Sequence, residues 1–520
     1  MTGLSVLNLP EITADMARDL ALSQQVCIRP LMRRVHDRQA GTEQHVALPC
    51  GATREAVCPP CATEARRLRM QQCAEGWHRT DEPEHHTSDD QAGEQNEQDG
   101  DDQDQDGDDQ AVDEGEDGGR RVRSTRRRQD APDLPRVTPE DRTVGRVFRS
   151  PDGRDYRPSM FLTLTLPSYG AVRDGAPVDP GSYDYRRAAL DALHFARLVD
   201  RFWQNLRRSA GYRVQYFAAV EPQHRLAPHL HAAIRGAIPR ATIREVVKAT
   251  YLQLWWPPHD RPVYVHRVPV WDGHDYIDAD TGEVLPTWDQ ALDALAADPD
   301  ARPAHVMRFG GQTDIAGIIA PSPDADRAVR YLTKYLTKSI SDPATDPDGE
   351  PDPRAVAHVD RLHGELRWLP CSERCANWLR YGIQPEGAGP GLQAGRCPGK
   401  AHDRDHLGIG GRRVLVSRDW SGKTLAGHRA DRATVVREAL LAAGILAPET
   451  ERLAAAVTLP DGAPRFVWTD TRPDPITYAR VLLAAIAERQ RWRAQYEAAK
   501  TAAPLAVDNP PATAPPVQPG

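Results

Sequence analysis

Pro228-His229-Leu230-His231-Ala232 and, a hundred residues beyond His231, Tyr331-Leu332-Thr333-Lys334-Tyr335-Leu336-Thr337-Lys338 decide how the rest of the chain reads. On a strand, residues i and i+2 share a face, so both imidazoles can grip one cation. On a helix, residues i and i+4 share a stripe, so Tyr331 and Tyr335 can point into one cleft with Lys334 and Lys338 alongside. A phenol with a pKa near ~10 is a weak nucleophile at neutral pH. It needs a metal to polarise a phosphate and cations to bear the developing charge. Together these residues are the equipment for attacking a phosphodiester and keeping the product attached. Each piece also has a plain reading: strand histidines bonded to backbone, and a stripe of packed rings. The doubling of Tyr-Leu-Thr-Lys downstream of His-Leu-His favours the chemical one.

The surrounding pattern predicts an α+β domain. Met160-Phe-Leu-Thr-Leu-Thr-Leu166 alternates with period two and stops at Pro167, a strand. From Tyr185 to Arg208, apolar residues recur at helical spacing (Ala189, Leu193, Ala196, Val199, Phe202, Trp203, Leu206). Tyr212 to Glu221 and His229 to Ile234 read as strands joined by residues 222–228. Ile243 to Trp255 reads as a second helix, Pro262 to Val270 as a further strand, and Asp272 to Arg302 as an inserted surface loop. The tyrosine helix is expected from Asp324 to Lys338, with Ser322 or Asp324 as N-cap. A β-α-β-β-α-β order of this kind suits a ferredoxin-like antiparallel sheet backed by helices on one face. A hairpin closed by residues 222–228 would bring Glu221 opposite the histidines, making it the third ligand of a two-imidazole, one-carboxylate grip. Ala233 stands where a histidine-triad hydrolase would need a third alternate histidine.

With 520 residues the chain is long enough for several domains. It has no run of 18 or more apolar residues, and Met1 to Leu20 lacks a basic start before a greasy stretch, so neither a membrane span nor a signal peptide is expected. Residues 81–118 hold 18 Asp/Glu and no Lys/Arg; removing those charges from the net of −8 leaves +10 elsewhere, compatible with a nucleic-acid partner. That acidic tract cannot bury enough apolar surface to offset its chain entropy and reads as disordered. A basic run follows at residues 120–128. The organisation expected is an N-terminal cysteine segment (1–80), an acidic then basic linker (81–145), a catalytic domain (146–340), a linker (341–359), a second cysteine segment with a basic ribbon (360–430), a helical region (431–500) and a Pro/Ala tail (501–520).

The eight cysteines fall mostly in two groups, which suggests a reducing compartment and metal binding rather than disulfides. Cys50, Cys58, Cys61 and Cys73 supply four thiolates, with His78 as a substitute and Cys27 left over, expected to be buried. Cys371, Cys375, Cys397 and His402 make a Cys3His set, with His406 in reserve. Both fit closed, structural zinc. After the second group, Arg412, Arg413, Arg418 and Lys423 are expected on phosphates, and Trp420 either stacks on a base or sits in the core.

Phe161-Leu-Thr-Leu-Thr165, Pro228-His-Leu-His-Ala232 and Tyr331-x-x-Lys-Tyr-x-x-Lys338 resemble motifs 1, 2 and 3 of the HUH endonucleases, in the order found in rolling-circle replication initiators. The doubled tyrosine is similar to that of small single-stranded-DNA phage initiators. The surrounding sequence, through about residue 430, resembles the RepSA-type initiators of actinobacterial plasmids and integrative elements. The resemblance implies a metal-dependent (Mg or Mn) nick at a double-strand origin, leaving a 5′-phosphotyrosine and a free 3′-hydroxyl. His229 and His231 match its metal motif, and Tyr331 and Tyr335 its nucleophile motif. Some initiators of this kind carry glutamate where Tyr331 stands, so Tyr335 is expected to nick, with Tyr331 as partner or equal. It further implies single- and double-stranded origin DNA as partners, a host helicase and polymerase, no membrane, and a cytoplasmic location. The alternatives are a zinc-binding DNA-binding regulator without catalysis, and a relaxase that mobilises a plasmid; relaxases place the tyrosine before the histidines.

Overall fold

The computed structural model describes residues 12–77, 79, 82, 131, 133–145, 147–149, 151, 153, 155–320, 322–334, 336–337, 350, 352–410, 413–442 and 457–502. The chain begins with α1 (Ala14–Ser23), the hairpin β1 (Leu31–Asp37) and β2 (Thr42–Leu48), and α2 (Pro59–Trp77). Next come β3 (Phe148–Arg149), β4 (Asp155–Leu164), the short β5 (Val172–Arg173) and β6 (Ala176–Pro177), and α3 (Tyr185–Ala210). β7 (Tyr216–Pro222), β8 (Pro228–Arg235), α4 (Arg240–Ala249) and β9 (Tyr251–Leu254) follow. Then come β10 (Val270–Trp271), β11 (Tyr276–Ile277), α5 (Trp288–Ala297), β12 (His305–Arg308), β13 (Thr313–Ala320), α6 (Pro323–Lys334) and α7 (Pro353–Leu366). The last elements are β14 (Val414–Val416), α8 (Leu425–Ala442), β15 (Phe466–Asp470) and α9 (Pro475–Ala502). These elements divide into two compact units, Arg69–Thr424 and the pair Met1–Leu68 with Leu425–Gly520.

In the larger unit, period-two alternation gives β4, β7 and β8 one face for helices and one for chemistry. The sheet order is β13-β4-β8-β7-β14, every neighbouring pair antiparallel. Read in chain order, β4-α3-β7-β8-α4-β13, this is the split β-α-β arrangement with its fourth strand beside its first. One face presents Leu162, Leu164, Ala218, Val220, Leu230, Ala232 and Ile234 to Phe195, Leu198, Phe202 and Leu206 of α3 and Ile243 and Val246 of α4. The 26 residues of α3 run unbroken between two chain-encoded stops: the Asp184 side chain accepts from Arg187 N, and Gly211 takes φ 71° just past the end. The other face carries Phe161, Thr163, Phe217, Ala219, His229, His231 and Ala233. It is partly covered by Trp77, Trp420 and the α6 residues Val329 and Leu332.

Three local expectations are corrected here. The fourth strand is β13, and residues 262–269 form no strand. The second helix ends at Ala249, because Tyr251–Leu254 alternates intermediate and buried and pairs with β12. Residues 272–302 are not a bare loop: Tyr276, Leu285, Trp288 and Leu295 are buried, the Trp288 ring tilted against that of Trp378 with centroids 4.9 Å apart, and α5 opens on a Thr287/Gln290 capping box. Its acids serve as turn formers. Asp272 Oδ1 accepts from the backbone N–H of His274 and Asp275, and Asp278 Oδ1 from those of Asp280 and Thr281.

In the smaller unit, early and late elements of the chain meet. β1 pairs with β2 on one side and with β15 on the other, Arg33 opposite Asp470. Ala17 and Ala21 of α1 share a buried cluster with Ala479, Leu482 and Ile486 of α9. Arg465 donates to both Asp37 oxygens, at 2.9 and 2.7 Å, a bidentate geometry. The described residues up to Leu68 and those from Leu425 to Ala502, read in separate segments of the sequence, therefore contribute to one body. Most of the acidic tract (all but Glu82), the basic run at 120–128 and residues 503–520 lie outside the described residues.

Candidate catalytic and metal centres

The β7–β8 register puts Glu221 directly opposite His229, and His231 between Ala219 and Thr163. The His229 and His231 rings lie edge to face, centroids 5.1 Å apart. His231 is held from both ends: Thr163 Oγ1 lies 3.0 Å from Nδ1, while Nε2 faces Glu221 Oε2 at 3.6 Å and the Tyr331 hydroxyl at 3.5 Å. Tyr331 reaches this point because Val329 and Leu332 anchor α6 in the apolar cluster on the same sheet face. Ser322 Oγ, accepting from Ala325 N at 3.2 Å, caps the start of that helix. The Tyr331 ring packs edge-on to Phe161 and His231 and remains 43% exposed. Lys334 is exposed one turn on. Tyr335 and Lys338 lie outside the described residues.

Burial sets the electrostatics. It pushes His229 and His231 down to about 4, His229 also through its neighbours His231 and Arg225, so both rings are neutral and can ligate near pH 7. Burial raises Glu221 against the opposing pull of Arg413 and Lys334. His229 Nε2 is buried with no hydrogen-bond partner, the kind of orphaned atom an ion would satisfy. Two imidazoles and a carboxylate thus fit a divalent ion by chemistry. Their ligand atoms do not close to within 4.8 Å of one another, however; among the described residues only two thiol groups do.

One residue of this end was not singled out from the sequence. Arg225, in the loop between β7 and β8, donates to the carbonyls of Pro167 and Leu166, both at 2.7 Å, and lies over the Tyr169 ring. It ties the hairpin carrying Glu221 and His229 to the segment that follows β4. A lone arginine in a five-residue connection gives no pattern to find it by.

The first thiol group is Cys27, Cys50, Cys58 and Cys61, so the expectation for Cys73 is corrected. Cys73, twelve residues beyond Cys61 in sequence, belongs to the larger unit. It is fully buried beside Trp77, Phe217 and Trp420. Cys27 takes its place: it accepts from Cys50 N at 3.3 Å, and the hydrogen bond from Cys61 pulls its thiol down to about 5. The leftover eighth cysteine was the one available signal. The second group is Cys371, Cys375, Cys397 and His402. His402 Nδ1 lies 2.8 Å from the Leu366 carbonyl, which turns Nε2 toward Cys375 Sγ at 3.5 Å. Gly399 crosses so close that a Cβ there would sit 3.2 Å from Cys371 Sγ. His406 stays outside, facing Asp403. These four-donor sets could each hold a metal such as zinc.

Beyond them the expected basic ribbon is a single strand, β14, paired with β7. Arg418 and Lys423 are exposed, Arg413 is half-buried beside Val220, and Arg412 lies outside the described residues. Trp420 is fully buried and cannot stack on a base. Its Nε1 donates to the Gln72 carbonyl at 3.2 Å, Arg235 covers its ring, and Gly76 lies so near that a Cβ would be 2.1 Å from the indole.

Residues 13–495 match the family described as RepSA, replication initiator protein, pSAM2. A curated replication initiator protein of Streptomyces ambofaciens is 36% identical over 115 residues, covering 16% of this chain and 25% of that protein; the chain thus spans about a quarter of this relative's length. No solved structure matches. The family match runs from the first helix nearly to the end of the last, enclosing the histidine hairpin, the tyrosine helix and both thiol groups: the chain belongs to the RepSA family of replication initiator proteins.

Proposed function

We propose that this protein starts plasmid replication by nicking one strand of origin DNA in the manner of an HUH endonuclease, through tyrosine transesterification. The observation that carries the reading is the meeting of three groups at His231 Nε2, with the Tyr331 hydroxyl at 3.5 Å and Glu221 Oε2 at 3.6 Å. The phenol oxygen of Tyr331 attacks the phosphorus and gives up its proton. The P–O3′ bond breaks, and the departing 3′ oxygen takes a proton, leaving a 5′-phosphotyrosine and a 3′-hydroxyl. Lys334 and Lys338 bear the charge that develops on the phosphate. His229, His231 and Glu221 would hold a divalent ion, Mg or Mn, which when bound polarises the phosphate. Tyr335, one helical turn from Tyr331 in sequence, is the equal candidate for the nick or for the closing transfer.

Arg412, Arg413, Arg418 and Lys423 contact origin phosphates in this reading, and zinc in the two thiol groups keeps their segments folded. The free 3′-hydroxyl primes a host polymerase, with a host helicase opening the duplex. Among the described residues no helix is long and apolar enough to cross a membrane, and cytoplasmic action is proposed with the rest. The test is a denaturation-resistant protein–oligonucleotide adduct with single-stranded origin DNA. It should form with wild type, weaken in Tyr331→Phe and in Tyr335→Phe, and vanish in the double variant. No adduct from wild type would leave a zinc-binding DNA-binding regulator as the reading.

A further inference from the structure

We infer that Thr163 is a positioning residue for this centre, holding the His231 ring while letting its proton sit on either nitrogen; the inference rests on the nicking reading above. Thr163 of β4 pairs directly with His231 of β8, and Thr165, just past the end of β4, follows in the register position that would face His229. The two hydroxyls behave differently. Thr165 Oγ1 donates to the Gln312 carbonyl at 3.2 Å, and His229 Nε2 is left without a partner. Thr163 Oγ1 instead meets His231 Nδ1 at 3.0 Å. Among the described residues a side-chain hydroxyl therefore braces the His231 ring alone of the pair, and it is the ring whose far nitrogen faces both the phenol and the carboxylate.

The chemistry of the brace matters. A backbone carbonyl or a carboxylate can only accept, and would pin the ring proton on Nδ1. A hydroxyl both donates and accepts. When the ring carries its proton on Nδ1, that N–H donates to Thr163 Oγ1, and the Nε2 lone pair is presented to an ion or to the Tyr331 proton. When the proton sits on Nε2, the Thr163 O–H donates to Nδ1, and the Nε2–H faces Glu221. The ring plane is the same in both states. Thr163 thereby fixes where Nε2 points without fixing what it carries, and Phe161, stacked on the same ring at 6.0 Å, adds an apolar wall.

The test uses full-length, zinc-loaded protein and Mn(II) as the probe, with His229→Ala/His231→Ala as the blank for ions bound elsewhere. Thr163→Val keeps shape and strand preference but removes the hydroxyl; Thr163→Ser keeps the hydroxyl. Loss of an outer partner of a ligating histidine weakens metal binding by about 10- to 100-fold. Thr163→Val should show a loss in that range and a parallel fall in adduct rate, with thermal unfolding and zinc content unchanged, and Thr163→Ser should restore both to within about threefold. Mn(II) affinity in Thr163→Val within about twofold of wild type would overturn the inference while leaving the nicking reading intact, as would a serine variant as impaired as the valine one. Wild type that neither binds Mn(II) above the blank nor forms an adduct would overturn the nicking reading, and this inference with it.

Discussion

The two thiol groups and the imidazole–carboxylate face are both places where this chain gathers metal-binding side chains, and they are built oppositely. Each thiol group brings four donors within 4.8 Å of one another, every one of them at least partly buried, a complete four-donor set. The imidazole face is looser: three donors on two strands, one nitrogen without a partner, and a half-exposed phenol at its edge. Closed sets suit structural metal, and open ones suit chemistry. Within one chain, the degree of closure separates what holds the fold from what could act on DNA.

That contrast can be broken from either side. The largest effect is expected at the open face. His231→Ala should cut adduct formation by about a thousandfold, or ~4 kcal/mol of transition-state stabilisation. Its unfolding temperature should stay near wild type; a large fall would make the face structural. Next comes the buried tryptophan, because Trp420 fills the core under α2 and the sheet. Trp420→Ala should cost about 3–5 kcal/mol in denaturant unfolding, well beyond the loss of a surface base-stacking contact. Unchanged stability with weaker DNA binding would return it to the DNA-contacting set. A smaller but sharper difference separates two cysteines. Cys27→Ser should remove one equivalent of bound zinc, measured by elemental analysis. Cys73→Ala should keep both equivalents and cost about 1–2 kcal/mol through lost core packing. The reverse result would restore Cys73 as a ligand. The smallest effect is expected from Lys334→Ala, about a tenfold slower adduct, since the proposed reaction assigns its charge to the phosphate.

How far the sequence reached depended on the range of the forces involved. β4, α3, β7 and β8 were legible because each carries its own period, and the hairpin that sets Glu221 against His229 follows from chain order alone. β13 was not, because Asp314 and Gly317 interrupt its apolar run and an edge strand has only one neighbour to satisfy. The acid-rich segment from Asp272 hid its structure because its carboxylates act on local backbone N–H groups, which reads as solubility in composition. Cys27, Trp420 and the pairing partner of β15 belong to a third kind. Their partners lie between 23 and 437 residues away, and no local pattern announces such a meeting. The same holds for the candidate site. The two histidines and the tyrosine were visible as spacings, whereas Thr163 and Arg225 emerge only when strands and loop are assembled.

The most direct measurement is mass spectrometry of the covalent product formed on single-stranded origin DNA by wild type, by each single Tyr→Phe variant at 331 and 335, and by the double variant. The account expects a nucleotide phosphate on Tyr331 or Tyr335 and none in the double variant. An adduct that persists in the double variant, or no adduct with active wild-type protein, would contradict it.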